Sequence, residues 1–212
     1  MRPAALLLDL DGTLVDSEPV HREAYRAFLA DRGWAVEDLG IFTGRRAEDV
    51  FAVEPGPWSE HDPHALAAEV RAKVPDDATP DPVPGAHDLV HAAGAAGIPV
   101  AIVTSARPAW VSLAVGEGLG VLDRIEVVVT ARDVAEGKPD PAGFLLACER
   151  LGVPAPACVA AEDSPAGVRA AVAAGVGRVV GVTTTWSAAE LTEAGAHVVL
   201  PDLRGVVPLL AR

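Results

Sequence analysis

The feature of the sequence that most constrains its fold is a series of short, continuously apolar runs, each followed by a segment with helical apolar spacing. Strands that are covered by helices on both faces have this composition, whereas strands with one solvent-facing side alternate apolar and polar residues. The pattern therefore predicts an α/β fold, a parallel sheet with helices on both faces. The predicted strands are residues 4–8, 99–103, 125–129, 157–161, 178–182 and 197–200.

One long segment departs from this rhythm. Between the first and second predicted strands the sequence has no strand pattern and three stretches with helical spacing. Asp62 and Pro63 occupy the N-cap and first helical positions of the third stretch. We therefore expect a small all-helical cap domain, residues 15–83, inserted into a core domain of residues 1–14 and 84–212. The three expected helices cover residues 18–33, 46–53 and 62–74.

The composition excludes several classes of protein. A formal net charge of −13 should repel nucleic acid and anionic membrane surfaces, so we expect neither as a partner. No apolar run approaches the roughly 18 residues that span a bilayer, and no signal peptide is apparent. Cys148 and Cys158 form no metal or redox motif, so we expect buried free thiols and a reducing compartment. These features predict a cytoplasmic protein, and we expect a monomer or a weak dimer.

Two acids, Asp9 and Asp11, follow the most apolar predicted strand. Residues two apart in an extended segment project to the same side, and the carboxyl ends of parallel strands are where α/β sheets bind ligands. Two close carboxylates repel each other unless a cation or a shared proton lies between them. Mg²⁺ fits, because it prefers oxygen ligands. The alternative is a pair of loop acids that cap a turn.

Polar side chains also follow the next three predicted strands. Thr104 and Ser105 follow the second strand, where we expect them to begin a helix whose free amides could bind an anion. Lys138, one of only two lysines, follows the third strand, and Glu162 and Asp163 follow the fourth. Each has an ordinary explanation, such as a helix cap or a solvated lysine. Together with the first acid pair, they indicate phosphoryl transfer to a carboxylate.

Four sequence motifs, "DLDGT", "VTS", "GKPDP" and "EDSPAG", carry these residues in this order. They resemble the four motifs of the haloacid dehalogenase superfamily, and the resemblance covers nearly the whole chain. It implies a Rossmann-like core, a mobile helical cap inserted after the first strand, Mg²⁺ as the cofactor and an aspartyl-phosphate intermediate. The implied substrate is a small phosphate monoester.

The resemblance also implies a role for each motif residue. Asp9 would be the nucleophile and Asp11 the general acid/base, which would also offer its backbone carbonyl to the metal. Phosphate would be bound by Lys138 and by the hydroxyl pair Thr104 and Ser105. Dehalogenases of this superfamily lack a carboxylate at the position of Asp11, which disfavours that activity. The implied Mg²⁺ ligands are Asp9, Asp11, Asp163 and Glu162.

Two activities within the superfamily remain open. Residues 130–152 and 179–200 are most similar to the sugar-phosphate and glycerol-phosphate phosphatases. The alternative is β-phosphoglucomutase, because His21 lies on the first cap helix at a spacing from Asp9 that the mutases also show.

The segment that opens the second cap helix favours the phosphatase. Arg45 directly follows Gly44, whereas the mutase pattern has its basic residue two positions later, where this chain has Ala47. We expect Arg45 and His21 to contact the substrate. A signalling receiver module, which also uses acids, a hydroxyl and a lysine, is disfavoured because receivers have no helical insert.

Overall fold

A computed structural model describes residues 2–43 and 45–211. The chain divides into two compact units, one made of Met1–Asp16 and Asp81–Arg212 and the other of Ser17–Pro80. We call them the sheet unit and the helical unit. No helix of the described residues is both long and apolar enough to cross a membrane.

The sheet unit is built on a six-stranded parallel sheet. The strands of the protein are β1 Leu6–Leu8, β2 Val15–Asp16, β3 Asp81–Pro82, β4 Val100–Val103, β5 Val127–Val129, β6 Val159–Glu162, β7 Arg178–Val182 and β8 Val198–Leu200. The large sheet has the order β5-β4-β1-β6-β7-β8, so β1 lies between β4 and β6. Leu7 pairs with Ala101 on one side and with Ala160 on the other. The predicted α/β fold is confirmed.

Helices cover both faces of this sheet, which explains the continuously apolar strands. Leu6 and Leu8 belong to one buried cluster, and Leu7 belongs to another on the opposite face. All three are fully buried, and burial of a leucine side chain contributes about 1.5–3 kcal/mol to stability. The helices of the sheet unit are α4 Ala86–Ala95, α5 Pro108–Val111, α6 Ala142–Leu151, α7 Pro165–Ala173 and α8 Ala188–Glu193.

The helical unit contains the three expected helices, α1 Glu18–Asp31, α2 Ala47–Val53 and α3 Pro63–Arg71. Its core is aromatic: the ring of Phe51 contacts the rings of both Phe28 and Trp58. Asp62 caps α3 by accepting a hydrogen bond from the His64 amide at 2.9 Å, as the sequence predicts.

One detail of the fold differs from the prediction, and another agrees with it. β2 and β3 form a short antiparallel ribbon, in which Val15 pairs with Pro82. The sequence predicts no strand here, because two residues are too few to show a periodic pattern. Cys148 and Cys158 are free and buried, as predicted.

Candidate active site

The site is built at the carboxyl ends of the central strands, beginning with Asp9 after β1. The Asp9 amide donates to the carbonyl of Ala161 at 3.1 Å, which extends the β1–β6 pairing by one residue. The Asp9 side chain is buried. It is therefore fixed by the sheet rather than by a flexible loop.

Lys138 connects three of these strand ends. It lies in the loop between β5 and α6, and its Nζ donates hydrogen bonds to Asp9 Oδ1 and, at 2.9 Å, to the carbonyl of Val103 at the end of β4. The same nitrogen forms an ion pair with Glu162 Oε1, at the end of β6, at 2.5 Å. One ammonium group thus joins the ends of β1, β4 and β6.

Three buried acids, Asp9, Glu162 and Asp163, form a cluster in which one oxygen of each lies within 4.8 Å of the others. Two glycines make room for them. A Cβ at Gly167 would lie 2.0 Å from Glu162 Oε2, and a Cβ at Gly12 would lie 2.0 Å from Asp163 Oδ2. Gly12 also has a φ of +79°, in the left-handed region that favours glycine.

The electrostatics of the cluster show an excess of negative charge. Burial raises the pKa of Asp9 well above its usual range, with a further contribution from Glu162 and against the effect of Lys138. Burial and the charge of Glu162 raise the pKa of Asp163 to about 7. Burial alone would lower the pKa of the Lys138 ammonium group. The charges of Asp9 and Glu162 have the larger effect and raise this pKa above its ordinary value. One ammonium group balances only part of the charge of three carboxylates.

These three acids fit a hard divalent cation. They offer oxygen atoms that are close together and buried, the donor type that Mg²⁺ prefers. Burial, together with the neighbouring acids, raises the pKa values of Asp9 and Asp163, and a cation between the carboxylates would favour their ionised forms. Three of the four predicted Mg²⁺ ligands thus lie together. The fourth, Asp11, does not belong to the acid cluster found among the described residues.

The carboxylate of Asp11 has a different partner. It is half-buried, and its Oδ1 accepts a hydrogen bond from the indole Nε1 of Trp110 at 2.8 Å. Trp110 belongs to α5 and lies 99 residues away in the sequence. No motif in the sequence predicts this contact.

Thr104 lies at the end of β4, where its amide donates to the carbonyl of Val129 at 2.9 Å. Its Oγ1 accepts from the Ala106 amide at 3.0 Å, which leaves the hydroxyl proton for another acceptor. The expected helix start at Thr104 and Ser105 is wrong, because α5 begins at Pro108. The residues between form a turn instead, so no helix amides support an anion site at Thr104.

Two predicted substrate contacts, His21 and Arg45, belong to the helical unit. His21 lies in the first turn of α1, and its amide donates to the carbonyl of Ser17 at 3.0 Å. Arg45 precedes α2, and its Nη1 donates to Glu54 Oε1 at 2.6 Å. Gly44, on which the comparison with the mutases depends, lies outside the described residues. The roles of His21 and Arg45 stay predictions.

A second contact that was not predicted from the sequence comes from the hydroxyl-rich run after β7. Thr184 Oγ1 donates to the carbonyl of Gly12, and the side chain of Thr185 is hydrogen-bonded to Asp163. Three consecutive threonines directly after a strand of the same sheet are a signal that could have identified this contact.

A comparison with protein families agrees with this geometry. Residues 3–175 match the model of the haloacid dehalogenase-like hydrolases. The chain belongs to this family. The predicted superfamily is therefore confirmed, as is the prediction of a hydrolytic enzyme.

Known members of the family are similar over most of their length. The chain is 39% identical over 204 residues to a validoxylamine A 7'-phosphate phosphatase of Streptomyces hygroscopicus, which covers 94% of each chain. It is 38% identical over 183 residues to hexitol phosphatase A of Escherichia coli, covering 82% of this chain and 81% of the relative. A crystal structure of a CbbY mutant of Rhodobacter sphaeroides in complex with xylulose-1,5-bisphosphate has a TM-score of 0.77, 27% identity and 94% coverage of each chain.

Proposed function

We propose that the protein is a Mg²⁺-dependent phosphatase that hydrolyses a small sugar or polyol phosphate through an aspartyl-phosphate intermediate on Asp9. The observation that carries this proposal is the single ammonium group of Lys138, which contacts both Asp9 and Glu162 inside a buried acid cluster. Such a site attracts a cation and, with it, a phosphate group. The matching phosphatases support the same reaction class.

In the first half of the reaction, a carboxylate oxygen of Asp9 attacks phosphorus. The new bond joins Asp9 to phosphorus, and the bond from phosphorus to the leaving oxygen breaks. Lys138 holds the Asp9 carboxylate in place through Oδ1 and favours its ionised form. The leaving oxygen takes a proton from Asp11, which acts as the general acid.

In the second half, Asp11 accepts a proton from a water molecule whose oxygen attacks phosphorus. The bond between Asp9 and phosphorus breaks, and inorganic phosphate leaves. Thr104, whose hydroxyl proton is not used within its own turn, and Ser105 beside it bind phosphate oxygens together with Lys138. Each group returns to its starting protonation state.

The metal would be held by the carboxylates of Asp9, Asp163 and Glu162 and by the backbone carbonyl of Asp11. When bound, Mg²⁺ supplies Lewis-acid stabilisation of the charge on the phosphoryl oxygens. Asp9 supplies the nucleophile, Asp11 the proton, and the ammonium group of Lys138 a second positive charge.

The names of the relatives reduce the range of candidate substrates. One acts on validoxylamine A 7'-phosphate and another on hexitol phosphates. We infer that this chain accepts a small polyhydroxylated phosphate monoester, selected by a helical cap of residues 15–83 to which His21 and Arg45 contribute.

The test is phosphate release from hexitol phosphates, sugar phosphates, glycerol phosphates and nucleoside monophosphates, measured with Mg²⁺ and with EDTA. We expect release from a hexitol or sugar phosphate that EDTA abolishes and Mg²⁺ restores. The D9N variant, measured in parallel, excludes a contaminating phosphatase. Full activity in EDTA contradicts the metal assignment.

The same assay decides between phosphatase and mutase. With glucose 1-phosphate as substrate, we expect net phosphate release and no dependence on a bisphosphate activator. Interconversion of glucose 1-phosphate and glucose 6-phosphate that is faster than phosphate release contradicts the proposal and makes the enzyme a mutase.

A further inference from the structure

The hydrogen bond between Trp110 and Asp11 is a contact that the reaction scheme above does not use. We infer that Trp110 is a positioning residue for the general acid/base: its indole N–H fixes the Asp11 carboxyl group so that the other oxygen, Oδ2, exchanges the proton with the leaving group and with water. The inference rests on the proposed function, since it requires Asp11 to transfer that proton.

The contact is suited to this role because of its chemistry. An indole nitrogen carries one proton, donates one hydrogen bond and accepts none. The oxygen that it contacts, Asp11 Oδ1 at 2.8 Å, must therefore accept whether or not the carboxyl group is protonated. A proton on Asp11 is then placed on Oδ2. A serine or a water molecule at the same position could reverse its hydrogen bond and would leave the proton on either oxygen.

The contact is also suited to this role because the indole is held by the fold. Trp110 packs against the buried cluster that includes Leu10, Leu14 and Val111. Leu10 directly precedes Asp11, and Val111 directly follows Trp110, so both partners of the hydrogen bond are anchored in one core. The backbone of Trp110 is fixed as well, since its amide donates to the carbonyl of Arg107 at 3.0 Å.

Within residues 2–43 and 45–211, the hydrogen bond from Trp110 is a side-chain contact that orients the Asp11 carboxyl group. Asp9 is held by Lys138, and Asp163 packs against Gly12 and is hydrogen-bonded to Thr185. Asp11 is half-buried and follows the end of β1 by three residues. A carboxyl group that serves first as an acid and then as a base has to keep one orientation through both steps.

The test compares W110F with the wild type, using the best hexitol or sugar phosphate and p-nitrophenyl phosphate as substrates. Phenylalanine keeps an aromatic ring in the core and removes the donor. We expect kcat for the alkyl phosphate to fall about tenfold with KM nearly unchanged, because proton transfer limits that reaction. For p-nitrophenyl phosphate, whose leaving group needs no proton, we expect the pre-steady-state rate of p-nitrophenolate release to fall less than about twofold, because the step that uses Asp11 as a base comes after that release.

The matched control is W58F. Trp58 is a buried indole, whereas Trp110 is half-buried, and the Trp58 Nε1 donates to the carbonyl of Glu54 at 2.9 Å, far in sequence from the motifs. This variant loses the same donor and ring atoms without touching Asp11. We expect it to change the thermal stability but not the ratio of the rates for the two substrates.

The D11N background tests whether Trp110 acts through Asp11. We expect W110F to cause no further loss of kcat in D11N, because the proton transfer is already absent. Multiplied losses in the double variant, an equally large loss in the rate of p-nitrophenolate release, or wild-type rates in W110F would each overturn the inference. If D11N itself has wild-type activity on the alkyl phosphate, the proposed role of Asp11 fails and the inference fails with it. If D11N is impaired and W110F is not, only the inference fails.

A measurement on the intact tryptophan covers the case in which W110F does not fold. In ¹H–¹⁵N spectra, the D11A variant should shift one of the four indole N–H resonances and speed its hydrogen exchange. The other three resonances should stay in place. Four unchanged resonances would show that the contact does not exist in solution.

Discussion

The two lysines of the chain lie in different units, and each forms an ion pair with an aspartate. In the sheet unit, the Lys138 and Asp9 side chains are 12% and 8% exposed. In the helical unit, the Lys73 and Asp31 side chains are 34% and 62% exposed. The pairs are chemically identical, so the difference between them comes from burial and from the neighbouring groups.

An exposed ion pair contributes about 0–1 kcal/mol to stability, because water screens the charges and the side chains lose entropy. A buried ion pair has a large desolvation cost, and removal of one partner typically costs about 3–5 kcal/mol. Lys138 also has Glu162 and the Val103 carbonyl as partners, and a third acid lies beside them. The desolvation cost of such a cluster is large for a purely structural contact, so we propose that it serves catalysis.

The largest expected effect comes from the two aspartates. D9N should lower kcat by about 10³-fold or more, because an amide cannot attack phosphorus, while the fold stays intact. D31N, the matched control, should have wild-type kinetics. Both variants are measured by phosphate release and by circular dichroism. Comparable losses in the two, or a nearly active D9N, would remove the distinction between the two pairs.

Substitution of the two lysines should have different effects on the stability of the protein. K138M leaves three buried acids without their ammonium partner, so we expect its free energy of unfolding at neutral pH without metal to fall by about 3–5 kcal/mol. K73M should lose at most about 1 kcal/mol. Urea unfolding of both variants gives the comparison, and addition of Mg²⁺ should restore part of the loss in K138M. An equal loss in the two variants would show that burial is not the deciding difference.

Much of the sheet unit could be predicted from the sequence, because strands buried on both faces are continuously apolar. The acids and the lysine at their ends follow from the same pattern, since parallel strands bring their carboxyl ends to one edge. The pairing of Lys138 with Asp9 and Glu162 could not be read from it, because it depends on the path of the loop between β5 and α6.

Other features could not be predicted from the sequence, because they depend on contacts or on turn geometry that no sequence pattern shows. Trp110 lies 99 residues from Asp11, and its own sequence neighbours contain no motif. The start of α5 was misplaced by the hydroxyl turn at Thr104, because side chains that cap a helix also form turns. The Arg45–Glu54 pair was missed because it connects the residues on either side of α2.

A smaller effect is expected from Arg45, which tests whether exposed pairs of the helical unit are purely structural. The Arg45–Glu54 pair is about as exposed as Lys73, yet we predict that Arg45 contacts the substrate. R45A should raise KM for the hexitol or sugar phosphate about 5- to 10-fold, the loss of about one charge-assisted hydrogen bond. KM for p-nitrophenyl phosphate, which is smaller, should change less.

The control for Arg45 is R26A, since Arg26 forms an exposed pair with Glu23 in the same unit. It should leave both KM values unchanged. Equal increases in KM for the two substrates in R45A, or no increase, would exclude Arg45 from substrate selection and leave its pair with Glu54 as a structural contact.

The smallest effect is expected from an exposed pair in the sheet unit, Asp133 with Arg150, whose side chains are 25% and 40% exposed. Asp133 accepts hydrogen bonds from Arg150 Nη2 at 2.7 Å and from the Thr130 amide at 2.8 Å. The bond from Arg150 and those from Thr130 lower the pKa of Asp133 to about 2. Because the folded-state pKa lies below the unfolded value, this contribution to stability is complete above about pH 4 and is lost as the pH falls through 2.

D133N should therefore lower Tm by about 2–4 °C at pH 7, corresponding to about 1 kcal/mol, and the difference from the wild type should shrink between pH 4 and pH 2. Thermal unfolding followed by circular dichroism at several pH values gives this difference, with D31N as the control for an exposed carboxylate. A difference independent of pH would contradict the assigned cause of the pKa shift. Asp133 shares its unit with Lys138, and its side chain is about as exposed as that of Lys73. A small effect in D133N beside a large one in K138M would show that burial, rather than the unit in which a pair lies, determines its contribution.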